Sequence, residues 1–461
     1  MRQNSIELRT LWFMGAKTRL CSEFIDGAVS DLLEPGGTVL DLCTGTAAVG
    51  RFLSTRYRIL ANDVQNFSSV VASAHLEGDD AWFSAIEYLD PREDLGRAFE
   101  SNLRLVTRLA PEALTTEDSL LDQVERELGV SDGPQTGAAD RYRQFVAATP
   151  LPQVEPGGSP LFQPLTSAMP GLISQRRRDP TIEPAVLMTC YYTNVYLGLR
   201  QAMVIDSLRH AIAQIPETDP FARRKRTFYL AALLHAVSVS TSGTSHFAQP
   251  RSLEKDSELL AVVRRRRIDV EEGFYLALDA IRRELGESPR LGGNRVFGLP
   301  LDDLLAEGGP LADEKVDLVY LDPPYTADNY SRFYHLLETL VDYDYPELEL
   351  RGGELTRGRY SLREHRFRSD FCKAGEVEGA FNRVAADCRR LGARLLISYS
   401  TDAGLMTKRW SRAGEEKPAS RFRDMMRQYY PQVEFREKNL MHSGQGDSNR
   451  SVRELLILCE G

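Results

Sequence analysis

The sequence Asp322-Pro323-Pro324-Tyr325 brings together groups suited to one demanding kind of chemistry. An exocyclic amine on a flat heterocycle is a poor nucleophile, because its lone pair is delocalised into the ring. Two acceptors that hold both amine hydrogens favour a pyramidal nitrogen able to attack an electrophile. The Asp322 carboxylate accepts one hydrogen and the backbone carbonyl of Pro323 the other. Successive prolines at 323 and 324 fix φ at both positions, so that carbonyl stays aimed. Tyr325 supplies an aromatic face for a base swung out of a stack.

Two further groups of residues suit the binding of a donor molecule. In Asp41-Leu-Cys43-Thr-Gly45-Thr-Ala47, the glycine lets a ligand approach the backbone closely, and Asp41 can pair with a cationic amine. About 20 residues on, Asn62-Asp63 places an acid where ribose hydroxyls are bound in dinucleotide folds. Upstream, Trp12-Phe13-Met-Gly15-Ala-Lys17 has the aromatic, glycine and lysine spacing to pack around a carboxylate. Neither GxGxxG nor a P-loop is present, which argues against NAD or ATP. Six cysteines without a CxxC pair and seven histidines without HExxH imply no metal site and no disulfide framework. No Pro-Cys pair of the kind used for covalent attack on a ring carbon is found, so transfer to the amine is expected to be direct.

These groups need a scaffold that brings strand ends together. Residues 38–43 read as a buried strand, Gly45 to Leu53 as a turn opening a helix, and 58–63 as the next strand. That is a βαβ unit with an acid at the end of its second strand. Residues 316–322 form a near-continuous apolar run typical of a buried parallel strand, leading directly into the Pro-Pro turn. A helix is expected near 333–343, and further buried strands at 394–399 and 454–459. Residues 70–145 and 186–290 carry helical spacing, the latter broken by the Ser/Thr/Gly stretch 238–245. The eight prolines of 148–184 predict a long loop or arm. The expectation is an α/β, Rossmann-like sheet with helices on both faces, split by a long, mostly helical insertion.

The chain has 461 residues, ordinary hydrophobic and charged content, and no apolar run long enough to span a membrane. No signal peptide is read at its start, and a cytoplasmic location is expected. A net charge of −9 is unusual for a protein that grips phosphates. Between Leu161 and Asp269, however, 15 Arg and Lys face 9 Asp and Glu, so the helical insertion is locally basic. Candidate nucleic-acid contacts are Arg223, Arg224, Arg226 and His246 in the insertion, and Arg366 and Arg368 in a basic loop around Phe367. The runs Arg176–Arg178 and Arg264–Arg267, and Arg357 and Arg359, are further candidates. His335 reads as a packed or surface histidine rather than a catalytic one.

The set Phe13-x-Gly15-x-Lys17, Asp41-x-x-x-Gly45, Asn62-Asp63 and Asp322-Pro-Pro-Tyr325 resembles the adenine-specific DNA methyltransferases of the alpha group. The resemblance covers about 1–80 and 296–461, and is poor through the insertion. It implies a cofactor-binding half over 1–90, a target-recognition domain over 91–295 and a catalytic half over 296–461. It also implies methyl transfer from S-adenosylmethionine to N6 of a flipped adenine in duplex DNA, within a prokaryotic restriction-modification or defence system. A restriction endonuclease or other defence subunits would be the protein partners.

By the same resemblance Trp12, Phe13, Gly15 and Lys17 line the cofactor pocket, with Cys43, Asn62 and Asp322 beside it. Asp41 and Gly45 hold the methionine part, Asp63 the ribose, and Asp302 or Asp303 lies near the cofactor adenine. The sequence departs from the family at Cys43, where phenylalanine is usual, and at Ala47, where a second glycine is usual. The alternatives are methylation of adenine in RNA or of the cytosine amine, and a cofactor-binding, non-catalytic subunit of a defence complex.

Overall fold

The computed structural model describes residues 17, 20–130, 136–153, 159–243, 247–287, 290–400, 404–412, 414, 418–443 and 449–461, without the side chains of 440–443 and 449–452. Nine strands occur among them. They are β1 (Thr38–Asp41), β2 (Arg58–Asn62), β3 (Arg295–Phe297), β4 (Leu318–Leu321), β5 (Leu350–Arg351), β6 (Glu354–Leu355), β7 (Arg394–Ser400), β8 (Gln432–Ser443) and β9 (Asn449–Glu460). β5 and β6 form a small ribbon; the other seven make one sheet in the order β3-β2-β1-β4-β7-β9-β8. β3, β2, β1, β4 and β7 run parallel, while β9 and β8 close the far edge antiparallel.

The described residues divide into two compact units, one built on the sheet (within 17–81, 285–330 and 367–461) and one helical (within 82–284 and 331–366). The sheet unit follows from alternation. Leu40, Leu60, Val319, Leu321, Leu395, Ile397, Leu455 and Ile457 point to one face, against Val377, Phe381, Val384, Trp410 and Phe422 of the helices that follow β4 and β7. Val39, Ile59, Leu318, Tyr320, Leu396, Leu456 and Leu458 point to the other, against Ile25, Val29, Val49, Leu53, Ala72 and Leu76. Helices thus cover both faces, as the near-continuous apolar strands require. The order of strands reverses between β1 and β4. In open α/β sheets, ligands bind outside the carboxyl ends of the strands at such a switch point.

Two strands of the seven-stranded sheet were not legible, nor was the short β5–β6 ribbon. β3 has only three residues. β8 is an edge strand whose Glu434, Arg436 and Lys438 break up the apolar signal. Arg436 pairs with Asp31 at 2.7 Å and Lys438 with Glu23 at 2.6 Å, so the charges bind the edge to its covering helix and discourage further pairing.

The helical unit corrects the expectation of a loop over 148–184. Gln163–Arg178 is a helix that runs through Pro170. Its buried Leu165, Met169, Ile173 and Arg176 recur at spacings of four and three, and that packed stripe outweighs the missing backbone donor. Residues 331–366, which follow the Pro-Pro turn in sequence, group with the insertion helices. His335 is the reason: it is buried among Tyr192, Tyr196 and Tyr360, with Nε2 donating to the Phe247 carbonyl at 3.0 Å. Burial pushes this imidazole down to about 3, so it packs as a neutral ring.

Asn62, at the end of β2, ties the sheet to the segment after β3. Its amide donates to the carbonyls of Leu42 (3.3 Å) and Leu299 (3.0 Å), and its Oδ1 accepts from the Leu299 amide at 3.1 Å. Asn62→Ala leaves these buried and part-buried backbone groups without the Asn62 partner and is expected to cost about 2 kcal/mol of unfolding free energy, read from urea denaturation. An unchanged midpoint would show that solvent or neighbouring groups replace the amide.

Candidate active site

Strand alternation places four polar side chains on one face at the carboxyl end of the sheet. Asp41 lies two residues after Val39, Tyr320 two after Leu318, Ser398 two after Leu396, and Glu454 two before Leu456. Asp322 continues the same alternation one residue beyond β4. A sheet end lined with acids needs a cation, and Lys17 supplies it. Its ammonium lies 2.6 Å from Glu454 Oε1, 3.2 Å from Asp322 Oδ1 and 2.7 Å from the Tyr325 hydroxyl, and 4.7 Å from the centre of the Tyr325 ring.

Tyr325 completes the network. Its hydroxyl is 2.9 Å from Asp322 Oδ1, 2.5 Å from Glu454 Oε1 and 3.1 Å from Ser398 Oγ, and Ser398 donates to Glu454 at 2.5 Å. Its ring meets Tyr399 edge-on with centroids 5.1 Å apart. Both Lys17 and Glu454 are buried. Two acceptors of the tetrapeptide remain open: among the described residues, no donor reaches Asp322 Oδ2 or the Pro323 carbonyl. Glu454 was missed in the sequence. Its signal was a lone acid opening the apolar run Glu454-Leu-Leu-Ile-Leu, where a buried strand otherwise excludes charge.

Next to this network, the turn after β1 is built around Gly45, at φ 53°, and Ala47, at φ 57°. Both occupy left-handed backbone that favours glycine, and the sequence has a glycine at only one of them. The Gly45 amide donates to Asp63 Oδ2 at 2.9 Å, and the Gln65 amide to Asp63 Oδ1 at 3.0 Å. Asp41 Oδ2 accepts from Thr44 at 3.0 Å, whereas Asp41 Oδ1 is buried without a hydrogen-bond partner among the described residues. An unpaired buried carboxylate oxygen is costly and asks for a donor from a ligand. Cys43 lies half-buried beside these acids, its thiol pushed well up by burial. Asp302 is exposed on the short helix Leu301–Leu304, 4.0 Å from Arg383, and Asp303 beside it is exposed too. Asn62 serves the backbone, as described above. Trp12, Phe13, Gly15 and His246 lie outside the described residues.

The candidate nucleic-acid residues differ in how far they are tied down. Arg226 binds Glu217 at 2.6 Å and the Ile215 carbonyl at 2.7 Å. Arg366 is nearly buried, 2.7 Å from Glu349 and over the Tyr360 ring. Arg368 donates to the Cys372 carbonyl at 3.4 Å. Arg223 is exposed and Arg224 half-buried.

The fold and these groups define an α/β methyltransferase-type sheet with an acid at its switch point. Residues 310–360, spanning the Asp-Pro-Pro-Tyr turn, match the D12 class N6 adenine-specific DNA methyltransferase family model. The chain is 22% identical to the modification methylase LlaI of Lactococcus lactis subsp. lactis over 397 residues, covering 85% of this chain and 46% of that protein. It is 38% identical over 96 residues to the type II methyltransferase M.FokI of Planomicrobium okeanokoites, covering 20% of this chain and 13% of that one. The chain thus spans about half or less of the length of these relatives. The family model is that of adenine-specific DNA methyltransferases, whose motifs the sequence resembles; the two relatives carry the names of a modification methylase and a type II methyltransferase.

Burial dominates the electrostatics of the site. It pushes Asp41 up to about 7 and Asp63 and Asp322 up to about 6; Thr44 partly offsets it at Asp41, backbone amides at Asp63 and Lys17 at Asp322. Burial alone would lower the Lys17 ammonium, but the carboxylates of Asp322 and Glu454 reverse this and raise it. Each raised acid binds its proton more tightly in the folded chain than in the unfolded one. The stability it contributes is therefore present below pH about 4 and lost as pH rises towards 6 or 7. Asp41→Asn removes the largest of these three losses. Relative to the parent chain, the variant is expected to gain stability between pH 5 and pH 8 in urea denaturation. A constant difference between the two would refute the raised Asp41.

Proposed function

We propose that this chain is a DNA adenine methyltransferase that transfers a methyl group from S-adenosylmethionine to the N6 amine of a flipped adenine in duplex DNA. The observation that carries this is the pair of open acceptors, Asp322 Oδ2 and the Pro323 carbonyl, at the switch point of the sheet, with Asp322 held on its other oxygen by Lys17 and Tyr325. The match of residues 310–360 to the adenine-specific family supports the choice of amine.

The residues fit such a cofactor. The unpaired Asp41 Oδ1 suits the cationic amine of a methionine moiety, the Gly45 turn admits close approach, and Asp63 keeps acceptor capacity for ribose hydroxyls. When bound, S-adenosylmethionine would supply an electrophilic methyl on a sulfonium, the sulfur keeping the electron pair of the broken S–CH3 bond as a neutral thioether. The chain's own part is to hold the amine. Asp322 and Pro323 each accept one amine hydrogen, which draws the lone pair out of ring conjugation and directs it at the donor. As nitrogen gains the methyl it loses one proton, which the Asp322 carboxylate accepts. Catalysis comes from positioning and from acceptors fixed in place before reaction. Glu454 acts through Lys17 and Tyr325, as a positioning residue.

The direct test is labelled S-adenosylmethionine with mixed-sequence duplex DNA, followed by digestion to nucleosides. Labelled N6-methyladenine is expected; label in RNA or on cytosine instead would move the substrate. Asp322→Ala is expected to reduce transfer at least 100-fold with cofactor affinity within about threefold. Retained turnover would sink the catalytic assignment.

Because Asp322 acts as a carboxylate, the rate is expected to rise with pH through about 6. The negative charge of Glu454 contributes to holding Asp322 up, so Glu454→Gln is expected to move this acid limb to lower pH. A purely structural Glu454 would leave the limb in place and change only the unfolding midpoint.

A further inference from the structure

The helical unit contains a concavity of about 410 Å³, lined by four arginines, Arg143, Arg251, Arg266 and Arg357, against one acid, Glu254. Its walls come from helices Ala138–Ala147 and Asp256–Arg266 and from the segments around Asn194, Pro250 and Arg357. The four arginines have different duties. Arg143 is held by Asp140 at 2.7 Å, Asp256 at 2.5 Å and the Leu253 carbonyl at 2.8 Å, so it builds the wall. Arg266 is buried, its Nη1 2.7 Å from both the Tyr142 hydroxyl and Asn194 Oδ1, while its Nε has no partner among the described residues. Arg251 uses Nε alone, on the Gly243 carbonyl at 3.1 Å, and both it and Arg357 are exposed. Among the described residues no acceptor reaches the terminal nitrogens of Arg251 or any nitrogen of Arg357.

We propose that this concavity is a nucleotide-phosphate subsite. It receives one phosphate of a DNA strand between Arg251 and Arg357, with Arg266 as the fixed charge behind them and the sugar against Val195 and Pro250. The chemistry points to phosphate on four counts. Among the described residues the terminal guanidinium donors of Arg251 and the guanidinium of Arg357 have no acceptor, and planar forks match phosphate oxygens. One cation is preorganised by buried contacts, so little ordering entropy is lost on binding. The volume lies in the range of small-ligand sites, roughly 300–1,000 Å³, and suits one nucleotide unit. The apolar wall suits a sugar or base rather than a bare ion. Arg226, Arg366 and Arg368, singled out in the sequence, are instead engaged by Glu217, Glu349 and the Cys372 carbonyl. The inference rests on the DNA reading above for the source of the phosphate; a free nucleotide would present the same chemistry.

The test uses the full chain with Arg251→Ala and Arg357→Ala combined, two exposed positions where folding is expected to survive, checked by the thermal midpoint. Affinity for a mixed-sequence duplex is measured over a range of salt concentrations, and affinity for deoxyadenosine monophosphate by calorimetry. A duplex dissociation constant raised roughly tenfold, with the log–log salt slope reduced by about 1, is the expected result. Loss of mononucleotide binding with duplex binding intact would keep the subsite and assign it to a free nucleotide. Duplex and mononucleotide binding both unchanged would overturn the proposal. If the parent chain binds no duplex, the DNA reading fails, and the mononucleotide arm alone decides the subsite.

Discussion

Burying negative charge at the end of a parallel sheet is expensive, and in the sheet unit the Lys17 ammonium makes it tolerable. Asp322 and Glu454 compete for Lys17, and Tyr325 and Ser398 place hydroxyls on the same oxygens, Asp322 Oδ1 and Glu454 Oε1. An isolated carboxylate in such surroundings would take up a proton. With a shared cation it can stay ionised near neutral pH while remaining sensitive to its neighbours. The same arrangement occupies one oxygen of Asp322 and leaves the other open, which is the geometry needed to hold one hydrogen of an amine. The tetrapeptide is therefore not a self-contained device. Its carboxylate depends on a lysine 305 positions upstream and its tyrosine on a glutamate 129 positions downstream.

The sheet makes those long separations short. Strand order reverses between β1 and β4, so the turns after these two strands diverge and leave a crevice. Asp41 ends one strand and Asp322 follows the other. The antiparallel β9, pairing with β7, brings Glu454 opposite Ser400 and so to the same sheet end. A parallel strand in that place would carry its first residues to the opposite end of the sheet. The antiparallel direction of β9 is therefore part of the site, not only a way to finish the sheet.

Buried acids recur in the helical unit with a different duty. Glu117 accepts from the amides of Leu199 and Arg200 at 2.8 and 3.0 Å, at the start of helix Leu199–Ala213. Asp206 accepts from Met188 and Thr189, both at 2.8 Å, at the start of helix Leu187–Tyr192. In both cases a carboxylate satisfies amides that the helix itself leaves unpaired, at the positive end of its dipole. Glu117 is occupied by backbone amides and Asp206 by backbone amides and the Tyr343 hydroxyl, whereas Asp41 and Asp322 each keep an oxygen unclaimed by the described residues. That contrast separates structural carboxylates from those available to a ligand.

The sequence by itself determined the chemistry-bearing turns and the strands that carry them. Asp322-Pro-Pro-Tyr325, the Gly45 turn and Asp63 are local, and apolar runs such as 316–322 and 394–399 are legible because strands buried on both faces admit almost nothing polar. Short or charged edge strands left no such trace, so β3 and β8 could not be read. The prolines of 148–184 suggested a loop, because a buried helical stripe outweighing Pro170 is a property of what it packs against. Only the tertiary structure decided that Asn62 serves the backbone, that Glu454 and Ser398 join Lys17 around the tetrapeptide, and which arginines stay unpaired. Hydrogen-bond partners far apart in sequence are chosen by the three-dimensional proximity of donors and acceptors, and residue type alone does not specify that choice.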